Sequence, residues 1–297
     1  MNKGWVFSVS LLFGLTACSV DPRKALRTDL KQMLDSLPGT HAVAFWDLST
    51  DDSLLINPDL SFHAASTMKT PVMLEVFRQT AQGKFSMNDS LTITGTFRSI
   101  ADSSTYTLSK SDDSDTLIYD HIGEKRTVHD LVYDMVTISS NLATNMLIEK
   151  VTAPAVERTL RELGISKMRV LRGVEDTPAF KAGLNNTTNA RDQALLYARL
   201  ARYTAADSAS TREMITILSD QKFNEKIPAL LPAGVRVAHK TGSITAVHHD
   251  GGVVYLPDGR KYVVVILTAG FTDERAALQT MARTSKRIFD YVTRNDR

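Results

Sequence analysis

Apolar positions along this chain switch between two periods, and the switches outline an architecture. Over residues 22–37, Ala25, Leu26, Leu30, Met33, Leu34 and Leu37 recur at helical spacing, and Pro38-Gly39 closes the run. Residues 41–48 and 54–56 read as two strands of a hairpin around residues 49–53. Near the other end, residues 253–256 and 261–267 flank Pro257-Asp258-Gly259-Arg260, a strong turn signal, and an amphipathic helix follows over about 274–292. The middle is helical. Thr127-Val128-His129-Asp130 is a capping box, and Leu131, Val132, Met135 and Val136 form an apolar stripe behind it. Ser139-Ser140-Asn141 interrupts that stripe, and Leu142, Ala143, Met146 and Leu147 resume it. The simplest assembly is an α/β (α+β) fold: an antiparallel sheet built from both chain ends, terminal helices packed on it, and an inserted all-α lobe. The α/β part spans about 22–62 and 190–297, and the lobe about 63–189. Residues 95–126, polar and rich in Ser and Asp, read as a solvated surface excursion of that lobe.

Composition narrows the classes. The chain has 297 residues, is 43% apolar and carries a formal net charge of +2, which argues against disorder and against a nucleic-acid footprint. The start departs from the rest. Lys3 precedes an apolar run, residues 5–15, too short to span a bilayer, and the run ends in Leu15-Thr16-Ala17-Cys18. That ending resembles a bacterial lipoprotein cleavage box. It implies a signal peptide over residues 1–17, lipid on Cys18, and a protein held at the periplasmic face of a membrane. Cys18 is the only cysteine, so no internal disulfide forms. The seven histidines show no zinc-ligand spacing, and His248 and His249 point to opposite faces of a strand. No metal or cofactor is expected, and the mature chain is expected to be a monomer acting on a small molecule.

The chemistry lies in three short motifs, each weak alone. Ser66-Thr67-Met68-Lys69 places a hydroxyl and an amine three residues apart, on one face of a helix or 3₁₀ turn. Serine becomes a nucleophile only when a base takes its proton, and a lysine serves as that base only if its pKa falls. Ser219 and Lys222 repeat this spacing, and Ser86-Met87-Asn88 repeats Ser-x-Asn. Pro71 leaves open where the helix after Ser66 begins. Ser139-Ser140-Asn141 is a polar knot between buried segments, which either caps a helix or lines a cleft. Residues 235–239 read as a strand running into Lys240-Thr241-Gly242-Ser243. There a cation at the cleft edge, a hydroxyl and a glycine would receive a substrate carboxylate closely. The backbone N–H groups of Ser66 and Ser243 could then form an oxyanion hole.

In their order, with Phe62-His63-Ala64-Ala65 before the first motif, Asn145 one turn past Asn141 and His239 before Lys240, these motifs resemble the class A β-lactamase-related, penicillin-recognising serine hydrolases. The similarity covers nearly all of residues 22–297. It implies Ser66 as the acylated nucleophile, Lys69 as its proton acceptor and Ser139 as the relay to the leaving nitrogen. It also implies Asn141 as binder of the substrate amide and Lys240 and Thr241 as binders of the carboxylate, with Ser243 beside them in the substrate-binding set. Two departures stand out. Ser140 occupies the place of an aspartate, and the family's Glu-x-x-Leu-Asn is missing. Glu175, which follows Arg172, is the candidate for the deacylating carboxylate, with Asp176 in reserve; a salt bridge from Glu175 to Arg172 is the competing reading. Asn145 and Asn185 are the amides expected to orient it. The expected function is β-lactam hydrolysis through an acyl-enzyme. The alternatives are a D,D-peptidase or small-ester hydrolase, and a penicillin-binding sensor that acylates and stops.

Overall fold

The computed structural model describes Met1 and residues 21–294. Cys18 and nearly all of the expected leader lie outside the described residues.

Helix α1 (Pro22–Asp35) leads into the hairpin β1 (Thr40–Asp47) and β2 (Ser53–Ile56). A short strand β3 (Phe62–His63) and a 3₁₀ turn (Ala65–Met68) then open helix α2 (Lys69–Ala81). Four short strands follow: β4 (Ser90–Thr92), β5 (Thr96–Arg98), β6 (Thr105–Thr107) and β7 (Lys125–Thr127). Helices α3 (Val128–Thr137), α4 (Asn141–Val151), α5 (Ala153–Glu162) and α6 (Thr177–Lys181) come next. Strand β8 (Thr187–Thr188) and helices α7 (Ala190–Ala201) and α8 (Ser208–Ser219) return the chain to the sheet. Strands β9 (Arg236–Ile244), β10 (Val247–Tyr255) and β11 (Lys261–Ala269) complete it, and α9 (Glu274–Arg294) ends the fold.

The main sheet has the order β2-β1-β11-β10-β9, antiparallel throughout, so both chain ends meet at the β1–β11 pair. Period-two burial gives it two faces. Val43, Phe45, Val264 and Ile266 join Leu26, Leu30 and Leu34 of α1 and Met281 and Ile288 of α9 in one core. Ala42, Ala44, Val263, Val265 and Leu267 face the other way, onto Ala194, Tyr197 and Ala198 of α7 and the helical lobe beyond. Fully burying one such Leu or Ile side chain stabilises the fold by about 1.5–3 kcal/mol.

Helix α2 runs through the lobe with Lys69–Phe77 all buried, the signature of a helix enclosed on every side. The polar residues of that stretch are partnered, whereas Thr80 Oγ1 further along the helix is buried with no hydrogen-bond partner among the described residues. Thr70 Oγ1 lies 3.1 Å from Tyr197 Oη, and Glu75 accepts from Gln79 Nε2 at 2.7 Å and Thr159 Oγ1 at 2.6 Å.

Two sequence expectations change. Residues 95–126 are largely exposed, as expected, but they are not mere solvated loop: they form the β5–β6 hairpin and most of β7, which pairs with β4, and Ser99, Asp113 and Asp115 within them are buried. Short acidic and hydroxyl side chains there serve as internal acceptors, which composition alone cannot separate from solvation. Strand β9 does not end at His239. It continues through Lys240-Thr241-Gly242 to Ile244, because β10 pairs with it along its whole length.

Candidate active site

The 3₁₀ turn that carries Ser66 runs straight into α2 at Lys69. Ala65, just before the serine, is in the left-handed region at φ 46°. The turn is braced from behind: Ala65 N donates to His63 Nδ1 at 3.1 Å, and Thr67 Oγ1 donates to Ala64 O at 2.6 Å. Burial first, and the charge of Arg172 second, hold His63 below its ordinary pKa, in keeping with an accepting Nδ1. Pro71 falls in the first turn of α2, where an N–H has no intrahelical partner to lose. Strand β9 lies against the turn. A Cβ on Gly242 would stand 3.1 Å from both Ser66 N and Thr67 N, so glycine there admits the nucleophile's own turn rather than only a substrate.

Lys69 is wholly buried, and its Nζ donates to Ser139 O at 2.7 Å, Asn141 Oδ1 at 2.9 Å and Ser139 Oγ at 3.1 Å. Burial brings its pKa down to about 7, against the opposing pull of Asp113 and Glu175. That is the condition for an amine to accept a proton near neutral pH. Lys240 is also wholly buried, not at the cleft edge, and its Nζ donates to Ser139 Oγ at 3.1 Å and to Thr241 O at 3.0 Å. Burial, and then the neighbouring Lys69, push its pKa well down, so an anion in the cleft would restore its charge. Ser139 thus has two lysine Nζ atoms at 3.1 Å from one hydroxyl oxygen. It sits between α3 and α4 at φ 60°, and Ser140 behind it caps α4 by accepting from Ala143 N at 3.3 Å.

Ser66, Ser139, Asn141, Glu175, Asp176, Thr241 and Ser243 line one cleft of about 490 Å³. Asn141 Nδ2 donates to Asp112 O at 3.1 Å, a bond that a substrate amide would have to displace. Lys69 and Lys240 lie buried behind this lining and reach it through Ser139 Oγ.

The loop bearing Glu175 is held on both sides. Asn145 accepts from Val174 N at 2.7 Å and donates to Val174 O at 3.0 Å, and a Cβ on Gly173 would stand 2.4 Å from Asn145 Oδ1. Asp176 accepts from Ser99 Oγ at 2.7 Å, Ile100 N at 3.0 Å and Ala179 N at 3.1 Å. Glu175 stands between them at φ 58°, exposed on the cleft, and its carboxylate makes no hydrogen bond among the described residues.

The surrounding residues differ from expectation in three ways. Asp176 is engaged by three donors as the cap of α6, so it is a poor reserve base. Arg172 makes no ion pair with Glu175; it donates to Leu184 O, Gly173 O and Asn185 Oδ1. Asn185 therefore fixes Arg172 rather than the carboxylate, and Asn145 grips the backbone beside Glu175 rather than its side chain.

Two residues were missed. Asp113 accepts from the N–H groups of Asn141 and Leu142, from Asp115 N and from Tyr119 Oη, all at 2.9–3.0 Å. A distant loop thus supplies a carboxylate beside the motif where Ser140 replaces one. The aspartates at 112–115, read together with that replacement, were the available signal. Lys226 is the second: only 1% exposed, it lines the cleft as a third buried lysine, and nothing in its sequence context marked it.

A nucleophile turn, a lysine tuned toward neutrality and a hydroxyl shared by two buried lysines define a serine hydrolase that works through an acyl-enzyme. The chain belongs to the beta-lactamase enzyme family, whose model matches residues 25–292. It is 26% identical to the extended-spectrum beta-lactamase PER-1 of Pseudomonas aeruginosa over 80% of this chain and 78% of that protein. Among solved structures, a beta-lactamase from Sphaerobacter thermophilus superposes with a TM-score of 0.76 at 25% identity, covering 92% of this chain and 96% of that one. A variant of PBP-A, solved as its acyl-enzyme with penicillin G, superposes with a TM-score of 0.77 at 25% identity, covering 91% and 97%.

Proposed function

We propose that this enzyme opens the β-lactam amide through an ester on Ser66 and clears that ester with water activated by Glu175. The observation that carries the reading is Ser139 Oγ, 3.1 Å from both Lys69 Nζ and Lys240 Nζ, in the cleft that Ser66 opens into.

In the neutral form Lys69 takes the Ser66 proton, and Ser66 Oγ attacks the lactam carbonyl carbon. The backbone N–H groups of Ser66 and Ser243 hold the oxyanion. As the C–N bond breaks, Ser139 gives its proton to the nitrogen and is reprotonated from the lysines beside it. Lys226 in the cleft lining, with Lys69 and Lys240 buried behind it, makes the cleft receptive to an anionic group on the substrate. In the second half Glu175 takes a proton from water as it attacks the ester, and Ser66 Oγ leaves with a proton returned to it.

A mass-spectrometric time course with benzylpenicillin tests this. Wild type should show a transient adduct on Ser66. Glu175→Gln should acylate at a similar rate and then clear the adduct about 10²–10⁴-fold more slowly, the usual worth of a general base. Equal clearance by both proteins refutes the role of Glu175. A second reading, an acylated sensor, is favoured by the Glu175 carboxylate having no orienting partner among the described residues; a wild-type adduct that persists would establish it. The lipoprotein-like leader supports export and anchoring at Cys18, which fractionation of wild type against Cys18→Ser would test.

A further inference from the structure

His248 and Glu274, at the cleft rim, are used by no step above, and neither is the hydroxyl of Ser243. Ser243 follows Lys240-Thr241-Gly242 on β9 and lines the cleft. Its Oγ lies 2.9 Å from His248 Nδ1, directly across the β9–β10 pair. His248 Nε2 lies 3.0 Å from Glu274 Oε1 at the start of α9, and its ring stacks on Phe271 at 4.9 Å and 15°. Ser, His and Glu are thus joined in a line that ends at the substrate edge.

We propose that His248, held by Glu274, is a positioning residue that sets the direction of the Ser243 hydroxyl and thereby whether the cleft rim receives or repels an anionic group of the substrate. A carboxylate only accepts, so Glu274 places a hydrogen on Nε2. In the neutral ring Nδ1 then carries a lone pair, and Ser243 must donate to it. Ser243 turns only lone pairs toward the cleft, which disfavours a substrate carboxylate. When His248 is protonated, Nδ1–H donates to Ser243 Oγ instead. The Ser243 hydrogen is released to point into the cleft and donate to that carboxylate.

The groups that set this balance come from every side of the ring. Glu274 favours the charged ring, as does Glu225. Burial and Lys226 oppose it, and together they hold His248 below its ordinary pKa. His249 is the neighbour along β10; across the sheet Thr268 of β11 pairs with His248 and is bonded to His41 on β1. The rim is therefore an acceptor at neutral pH and a donor in acid.

This rests on the β-lactam reading above. The test compares acylation by benzylpenicillin with acylation by its methyl ester between about pH 5 and 8. Titration of Lys69 affects both compounds alike and cancels in their rate ratio; titration of Lys240, whose charge an anion restores, does not cancel, and Ser243→Ala measures its share. In wild type the acid-over-ester ratio should rise about tenfold more, as pH falls, than in Ser243→Ala, which is what one hydrogen bond to a charged group contributes (about 1.4 kcal/mol). In His248→Phe, which keeps the stack on Phe271, the ratio should already be high at neutral pH and rise no more steeply than in Ser243→Ala, because the hydroxyl has lost its acceptor. A structural role alone would shift both compounds together and leave the ratio unmoved. A wild-type ratio that rises no more steeply than that of Ser243→Ala, with normal acylation, overturns the role of His248. Failure of both compounds to acylate Ser66 at any pH overturns the β-lactam reading itself, and this selectivity with it.

Discussion

Replacing Asp113 with Asn should weaken the fold and shift the pH dependence of acylation together. The Asp113 carboxylate serves Asn141 N and Asp115 N through Oδ1, and Asn141 N, Leu142 N and Tyr119 Oη through Oδ2. An amide retains one oxygen. Tyr119 can turn to accept from the new NH₂, but Leu142 N–H then faces a donor and is left unpaired. A buried unpaired donor costs about 1–3 kcal/mol, and losing the charge at the start of α4 adds about 0.3–1 kcal/mol. The sum is about 1–4 kcal/mol, or roughly a 3–15 °C fall in Tm for a chain of this size. The second effect is electrostatic. Asp113 is the larger of the two charges that hold up the Lys69 pKa, which stands at about 7. Without it the neutral amine is favoured further. Lys69 acts as a base when neutral, so acylation rises as pH climbs through its pKa, and Asp113→Asn should move that acid limb down by on the order of one unit. Stopped-flow acylation by a chromogenic cephalosporin from about pH 5 to 9, on protein shown folded by near-UV circular dichroism, reads it. An acid limb that stays in place or moves up, on folded protein, refutes the coupling.

The other expectations are sharper and need less. Ser66→Ala should abolish covalent labelling by a penicillin while Ser219→Ala changes little, because Ser219 Oγ is occupied with Ile215 O and Arg236 away from the cleft; residual labelling of the first variant removes the nucleophile. Gly242→Ala places a Cβ 3.1 Å from two backbone nitrogens of the nucleophile turn, so acylation should slow about tenfold to a hundredfold with little change in Tm; unchanged acylation shows that the turn yields freely. Gly173→Ala drives a Cβ to within 2.4 Å of Asn145 Oδ1 and breaks the grip on Val174, so deacylation should slow more than acylation; equal slowing of both steps counts against the loop's separate role.

The parts of the fold that were legible in sequence are those with a period. Alternation at 41–48 and 261–267 and the helical recurrence at 22–37 and 274–292 describe single elements, and the antiparallel β1–β11 pair follows from joining them. The site was legible where motif order stood in for distance, at Ser66, Ser139 and Lys240. It was not legible where a short side chain acts across a long gap. Asp113 reaches Asn141, 28 residues on, and no periodicity signals that reach. Lys240 was placed at a cleft edge as the cation that would receive a substrate carboxylate. It is buried because Ser139 Oγ and Thr241 O accept its hydrogens, and those acceptors come from folding. Asp176 did carry a readable sign, since Asp-Thr-Pro is a helix start, and an aspartate that caps α6 is committed before catalysis begins.

The three positions that bring groups to the cleft share a backbone feature. Ala65 beside the nucleophile, Ser139 and Glu175 all lie in the left-handed region, at φ 46°, 60° and 58°. For non-glycine residues this costs of order 1–3 kcal/mol each, so the cleft stores a strain comparable with the whole net stability of many domains. Each is held by a neighbour already partnered elsewhere. His63 holds Ala65 N while its own carbonyl accepts from His249 Nε2 at 2.9 Å. Lys69 and Lys240 hold Ser139 from the buried side. Asn145 and Asp176 hold the residues on either side of Glu175, and each also bonds the 95–126 segment, through Tyr106 and Ser99. That segment therefore belongs to the machinery. It supplies Asp113 to α4, Tyr106 to Asn145 and Ser99 to Asp176, so the acylating and deacylating sides of the cleft are fastened to the same polar stretch of chain.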